Sequence, residues 1–531
     1  MKLQRIVAGV LVALFTFGSI FVCSNAATYN GSNIISNNIH DHEYTNTSQV
    51  SNSYMIANPD GTVSRLESFG DIILLEKYNS SFACVSQSFL SFEGTIFGGF
   101  YAGNSYNYLI FGNNNMDQQS NFGVIKIVRY SKSWQRLSEC YVNNCNTTVP
   151  FKGSNTSFCE YGNLLYIRCG HQTYKDASGL YHQSSMTICY DNATNKVTDI
   201  SCTIRGTSYA STENSGAQFI GCSNGVVGTC EASLTGPYGV LFSRYGYTAG
   251  RGTLANGAAA INTLGAAGAL TSNIPAYSIG GFDANSQYFL AVGSSQPMDG
   301  TSSNMNLFVT RIPVNTFSGA QVKTSYLTGY AQGDPHTIGT PFLVKVNANR
   351  YAILYEVRNG YSDMGEVSYL FIDAAGNRIS DTATVQGCLS DCQPVVFGDK
   401  IVWYTTNGAS MKIYTVPAGG TSASNNTSVY TTEATTAGGV NYSKVFDFAY
   451  YCSKYPEIRV AFGNDEAAAL SHFINCGMAE GRQGCAGFNL AIYMYNYPDL
   501  VAVFGNNYKL YYEHFMNYGY AEGRNAMTKN H

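Results

Sequence analysis

From about residue 52 the chain alternates short apolar runs with turns rich in Gly, Asn, Asp and Ser. Tyr108–Gly112, Val124–Val128, Leu164–Ile167, Tyr288–Val292, Leu307–Val309, Tyr351–Tyr355 and Ile401–Tyr404 are such runs, each of strand length and rich in β-branched and aromatic side chains. No amphipathic helical pattern lies between them, which excludes a parallel α/β fold. The runs pair off at a spacing of roughly 45–60 residues, in units beginning near residues 97, 150, 208, 276, 335 and 393. The last of these six units is expected to be completed by N-terminal strands around residues 54–92. The pattern predicts a mainly β protein with a β-propeller of about six blades (five to seven) over 52–417, because radial blades bury both faces and leave few free edges. A pair of β-sandwiches is the alternative.

Beyond residue 444 one pattern is written twice at a spacing of 42. Phe446, Tyr451, Tyr455, Pro456, Phe462, Gly463, His472, Phe473, Gly477 and Glu480–Arg482 return as Phe488, Tyr493, Tyr497, Pro498, Phe504, Gly505, His514, Phe515, Gly519 and Glu522–Arg524. A period of this size marks a stacked unit. Asp447 as a cap, Pro456 and Pro498 at first helical positions, and Gly463, Gly477, Gly505 and Gly519 where helices stop predict a small helical tandem-repeat domain over 445–531. His472 and His514 are expected to pack or hydrogen-bond within it.

The remaining segments have other patterns. A charged start, an apolar run from Ile6 to Val22 and small residues before Thr28 read as a signal peptide over 1–27. Bulky Ile20, Phe21 and Val22 argue against a lipid anchor at Cys23. Residues 28–51 are polar and Asn-rich and are expected to be a disordered lead-in. The Gly/Ala-rich stretch 248–270 reads as a loop between blades, and 418–444 as a linker. No later run is long and apolar enough for a membrane helix.

Composition narrows the classes of partner. A net charge of −4 over 531 residues offers no basic field for nucleic acid. Charged residues make up only 12% of the chain while Tyr alone numbers 41, a surface chemistry suited to a neutral glycan or a protein partner. In half-buried strands the same tyrosines serve simply as packing. Removal of the signal leaves fourteen of the fifteen cysteines, an even number that favours disulfides in an exported chain. The near neighbours Cys140 and Cys145, Cys159 and Cys169, Cys189 and Cys202, Cys222 and Cys230, and Cys388 and Cys392 are the candidate pairs. Cys388 and Cys392 have no second half of a zinc site to join, and no metal or other cofactor is expected. Sequons begin at Asn30, Asn46, Asn79, Asn146, Asn155, Asn192, Asn425, Asn426 and Asn441, and they carry meaning only in a glycosylating host.

The segments Gly98–Gly103, Tyr130–Leu137, Leu165–Arg168 and Thr340–Lys345, together with the tail pattern F-D-x-x-Y-Y, Y-P-D, F-G, G-x-x-E-G-R, resemble a family of large exported cell-surface proteins of clostridia-like gut and rumen bacteria. The resemblance spans most of residues 60–525 and is most specific in the tail. It implies export, a propeller-like body and surface association, and no particular chemistry. The chain departs from the pattern in its many cysteines and in Gln172, where the family is acidic.

Candidate chemistry is sparse. The stretch from His171 to His182, with Tyr174, Lys175 and Asp176, gathers the densest ionisable set in the body, and Asp334 with His336 forms a second. A His beside a carboxylate serves either acid/base chemistry or polar recognition; a solvated surface loop is the plain alternative. Gly221–Gly225 spells G-x-S-x-G but lies between β runs, so it reads as a hairpin turn, not a nucleophile elbow. Arg311–Pro313 echoes the Arg-Ile-Pro of sialidases without their accompanying S-x-D-x-G-x-x-W turns. His40, Asp41, His42 and Glu43 alternate as metal ligands can, in what reads as a solvated arm. The sequence therefore favours a secreted or surface-attached binding protein that recognises a glycan or protein through propeller loops. A carbohydrate-active hydrolase or lyase is the alternative, and a structural surface component the third reading.

Overall fold

The computed structural model describes residues 21–22, 36–39, 49–203, 216–233, 239–245, 261–262, 277–297, 301–315, 321–359, 362–408, 410–419, 436–437, 440–463 and 465–529. The chain builds the expected β-propeller, followed by six short helices. Six blades each draw their main strands from one stretch of chain: blade 1 (53–90, with Phe21–Val22 added at the Cys84–Leu90 edge), blade 2 (96–142), blade 3 (157–203, with Val149–Pro150 added), blade 4 (218–262), blade 5 (277–326) and blade 6 (342–386, with His336–Ile338 added). A seventh sheet of three strands, Val395–Phe397, Lys400–Gly408 and Ser410–Pro417, receives Ser36–Asn37 as its extra strand.

One expectation changes here. The N-terminal strands do not complete the last unit, since Ser53–Ala57, Val63–Phe69, Ile72–Tyr78 and Cys84–Leu90 pair in sequence and satisfy one another as a blade. Within the polar segment 28–51, Ser36–Asn38 attach to the seventh sheet. Asn38 is buried, and its side-chain oxygen accepts from the Thr406 amide at 2.6 Å. A polar segment needs no apolar period when an unpaired strand edge supplies its hydrogen bonds.

Each seam between neighbouring blades has its own apolar cluster. Leu66 and Ile73 meet Phe97 and Leu109 between blades 1 and 2, and Ile110 meets Leu165 and Ile167 between blades 2 and 3. Leu343 and Tyr351 meet Leu290 and Val309 between blades 5 and 6. Met55, Val63 and Tyr78 of blade 1 meet Val402, Tyr404 and Ile413 of the seventh sheet, and so close the ring. Close approach at a seam selects glycine at position 280, where a Cβ would sit 1.6 Å from the Pro341 carbonyl oxygen. At Asn224 and Gly225, φ values of 50° and 75° build the tight hairpin turn expected from Gly221–Gly225.

The ring-closing seam contains a buried ionic cluster. Arg65 lies 2.9 Å from Glu76 and also pairs with Glu67, all three being buried on blade 1. Tyr78 donates to Glu76 at 2.6 Å, and Tyr404, from the seventh sheet, donates to Glu67 at 3.2 Å. Burial and the adjacent carboxylates push both phenols well above their ordinary pKa, so they remain donors.

None of the candidate disulfides is made in the structure, where Cys140, Cys159, Cys189, Cys222, Cys230 and Cys392 all carry unbonded thiols. That removes each neighbour pair: Cys140 with Cys145, Cys159 with Cys169, Cys189 with Cys202, Cys222 with Cys230, and Cys388 with Cys392. Register gives the reason for two of them. Cys159 faces Tyr166, so Cys169 lies three residues further along that strand. Cys222 faces Val227, three residues from Cys230. A step of three is about 10 Å along a strand and turns the side chain to the other face, beyond the reach of a disulfide.

In the tail, Asp447, Asp465 and Asn489 cap helices by accepting from the amides of Tyr450, Ala468 and Ile492. Pro456 and Pro498 open helices, and Gly463 and Gly505 close them at φ values of 59° and 54°. The 42-residue period extends to the contacts. Tyr451 meets His472 at 3.2 Å and Tyr493 meets His514 at 3.0 Å, as hydroxyl and Nδ1. Gln483 N donates to the Tyr455 hydroxyl, and Asn525 N to that of Tyr497. The two units share one core, in which Phe473 and Phe488 both contact Tyr512, whose hydroxyl donates to the Arg482 carbonyl at 2.8 Å.

Replacing Arg65 with Met strands two buried carboxylates, and we expect a loss of about 3–5 kcal/mol, read as a lower midpoint in chemical unfolding of the full chain.

Candidate functional site

Antiparallel alternation places the links between second and third strands, and those between consecutive blades, on one face of the propeller. Both candidate clusters lie in such links, but in two separate groups of loops.

The first group joins blades 2 and 3. Asn115, between the second and third strands of blade 2, donates to the Thr147 carbonyl at 3.2 Å and to the Tyr174 hydroxyl at 3.0 Å. Asn146, in the link between the blades, accepts from the Tyr174 amide at 3.1 Å, and Gln118 accepts from that of Lys175 at 2.9 Å. Asp176 organises the tip by accepting from the amides of Ser178 and Leu180 while its other oxygen lies 2.8 Å from His182 Nε2. The His182 contact, followed by these backbone amides, holds the Asp176 carboxyl below its usual pKa.

His171 does not belong to this exposed loop. The second strand of blade 3 continues to Gln172, which carries His171 into the protein, where it is fully buried. Its Nδ1 lies 2.7 Å from the Thr147 hydroxyl, and its Nε2 has no partner among the described residues. Burial first, and then the nearby Arg168 charge, lower its pKa to about 4. The imidazole is therefore neutral near pH 7 and shielded from any solute.

The second group joins blades 5 and 6. Asn304 donates to the carbonyls of Ala331 and Asp334 at 2.9 and 2.7 Å, and Gln332 accepts from the Ser303 amide. Asp334 Oδ1 accepts from the His336 amide at 2.9 Å and meets its Nδ1 at 2.6 Å. Those two contacts, the amide foremost, lower the Asp334 pKa. The Tyr330 ring lies against His336, with centroids 5.7 Å apart.

The structure thus brings Tyr174, Asp176 and His182 together in one group and Asp334 with His336 in another, and removes His171 from both. Sequence reading missed the supports Asn115, Asn146, Thr147, Asn304 and Tyr330, whose partners lie on separate strands and links. Arg311 lies within a strand with its guanidinium over the Tyr288 ring. His40, Asp41, His42 and Glu43, most of 248–270 and most of the segment before Thr28 lie outside the described residues.

No family model matches the chain, and no curated protein matches it. Solved structures similar to it include the β-propeller domain of the Trilobed protease from Pyrococcus furiosus, at 8% identity and a TM-score of 0.37, covering 71% of this chain and 98% of that one. Prolyl oligopeptidase B from Galerina marginata is similar at 7% identity and a TM-score of 0.41, covering 74% of this chain and 52% of that one. The oligogalacturonate lyase from Vibrio parahaemolyticus is similar at 7% identity and a TM-score of 0.38, covering 73% and 93% respectively.

The low His171 pKa gives a signed pH dependence. Above about pH 6.5 the residue is neutral folded or unfolded and contributes nothing; between about 6.5 and 4 the unfolded chain binds the proton more readily, so stability falls with pH. We expect His171→Gln to remove a share of the acid-side slope on the order of 3 kcal/mol, read from unfolding midpoints of both proteins across that range.

Proposed function

We propose that the protein is a secreted or surface-attached binding protein whose propeller presents this loop face to a neutral glycan or a protein ligand, with the helical repeats serving attachment. The observation that carries this reading is the separation of the two loop groups. Each holds an Asp–His pair fixed by its own backbone amides, beside a half-buried tyrosine and side-chain amides. Rigid aromatic and amide groups of this kind recognise hydroxyl-rich or peptide ligands by stacking and hydrogen bonding. General acid/base catalysis requires its groups to converge on one reacting centre. His171, the histidine that would have joined the clusters, is buried and neutral instead. The tail supports attachment through the exposed rings of Tyr495, Tyr518 and Tyr520.

The test is a glycan array probed with the chain lacking residues 1–27, with product release assayed on the same oligosaccharides. We expect retention of a glycan class without turnover, and a loss of at least about tenfold in affinity, roughly 1.4 kcal/mol, in Tyr174→Ala or Tyr330→Ala. Turnover would establish instead a carbohydrate-active hydrolase or lyase. Silence in both assays would exclude a glycan ligand and leave a protein partner or a structural role.

A further inference from the structure

Blades 3 and 4 are joined along their innermost strands, Ser157–Tyr161 and Gln218–Ser223. The Asn155 side chain donates to the Gln218 carbonyl at 2.6 Å and accepts from its amide at 2.8 Å. Two residues on, the Ile220 amide donates to the Ser157 hydroxyl at 3.0 Å. These contacts share an offset of 63 residues. The same offset places Cys222 beside Cys159, and the Cys222 thiol donates to the carbonyl of the next residue, Glu160, at 3.1 Å. Both cysteines belong to the small apolar cluster that fills this seam.

We infer that Cys159 and Cys222 form an oxidisable pair, closing to a disulfide that joins the inner strands of blades 3 and 4. The two thiols share one seam cluster, and Cys222 reaches the residue next to Cys159, whereas Cys159 with Cys169 and Cys222 with Cys230 are staggered by three residues within their blades. The third thiol of the cluster, Cys189, is separated from Cys159 by the whole strand that carries Tyr166, about 10 Å across two strand spacings. Burial, and then the neighbouring Cys222, raise the Cys159 thiol well above its ordinary pKa. Cys222 is the more exposed of the two and so reacts first.

The reaction is thiol–disulfide exchange with a small-molecule disulfide such as oxidised glutathione. The Cys222 thiolate attacks one sulfur of that disulfide, breaks its S–S bond and expels one small thiol, leaving a mixed disulfide. Cys159 then attacks the Cys222 sulfur and expels the second small thiol. Two protein thiols and one external disulfide become one protein disulfide and two external thiols, with the two protons carried away by the latter. The bond encloses 62 intervening residues and an entire seam, so it constrains the unfolded chain more than any within-blade pair would.

The full chain lacking residues 1–27 is equilibrated in glutathione buffers of increasing oxidised fraction, quenched by alkylation and mapped by mass spectrometry. We expect one dominant linked peptide pair containing Cys159 and Cys222, and an unfolding midpoint that rises on oxidation. Cys222→Ser should lose both the linked pair and the rise while its reduced form unfolds cooperatively. Should that variant fail to fold, alkylation of the unsubstituted chain decides, because Cys159 and Cys222 must become protected together with one midpoint potential. Linkage of Cys159 to Cys169, of Cys222 to Cys230, or full alkylation of Cys159 and Cys222 after oxidation would overturn the inference. None of these readouts involves ligand binding, so the result stands apart from the proposed function.

Discussion

The structure depends on closing the ring between its first blade and its last sheet. A propeller whose ends do not meet leaves two blade faces in water, and here those faces carry Met55, Val63, Tyr78, Val402, Tyr404 and Ile413. The apolar contact alone is non-directional. Direction comes from Arg65, Glu67 and Glu76, which are buried together and require one another, and from Tyr404, which reaches across from the other end of the chain to complete the set. A buried cluster of this kind is costly to desolvate and tolerates few alternative partners. Ser36–Asn37 then caps the last sheet, so residues more than 360 apart in the chain are neighbours.

Ring closure is what fixes the loop face. The links that hold Tyr174, Asp176 and His182 draw their supports from blade 2 and blade 3, and those around His336 from blades 5 and 6. Each group combines local contacts of its own Asp with supports from a neighbouring blade. The blades that supply those supports pack against one another at the same two seams. The helical tail follows a different logic: its units repeat their caps, Tyr–His contacts and amide-to-tyrosine bonds at one spacing, then merge into a single core.

Much of this was legible in the sequence because it follows from local periodicity. Short apolar runs between turns specify blades, and Pro456, Gly463 and their counterparts specify where helices begin and end. What escaped is set by partners distant in sequence. No apolar period marks Ser36–Asn38, because the unpaired edge of the last sheet supplies their bonds. His171 looked like part of a polar loop, since nothing in Gly170–Lys175 shows that the strand runs on to Gln172. The cysteines looked like local pairs because closeness in sequence stood in for closeness in the sheet. The meaningful spacing between Cys159 and Cys222 is the length of a blade, and it emerges only from the register of two inner strands.

The most direct measurement of this account is native-state hydrogen exchange across the strands of blade 1 and the last sheet. If their seam closes the ring, the core amides of Val63–Phe69, Ile72–Tyr78 and Lys400–Gly408 will open together, at the free energy of global unfolding. Opening of Lys400–Gly408 well below that free energy, with blade 1 still protected, would contradict it, because the last sheet would then be an appendage and not the closure on which the loop face depends.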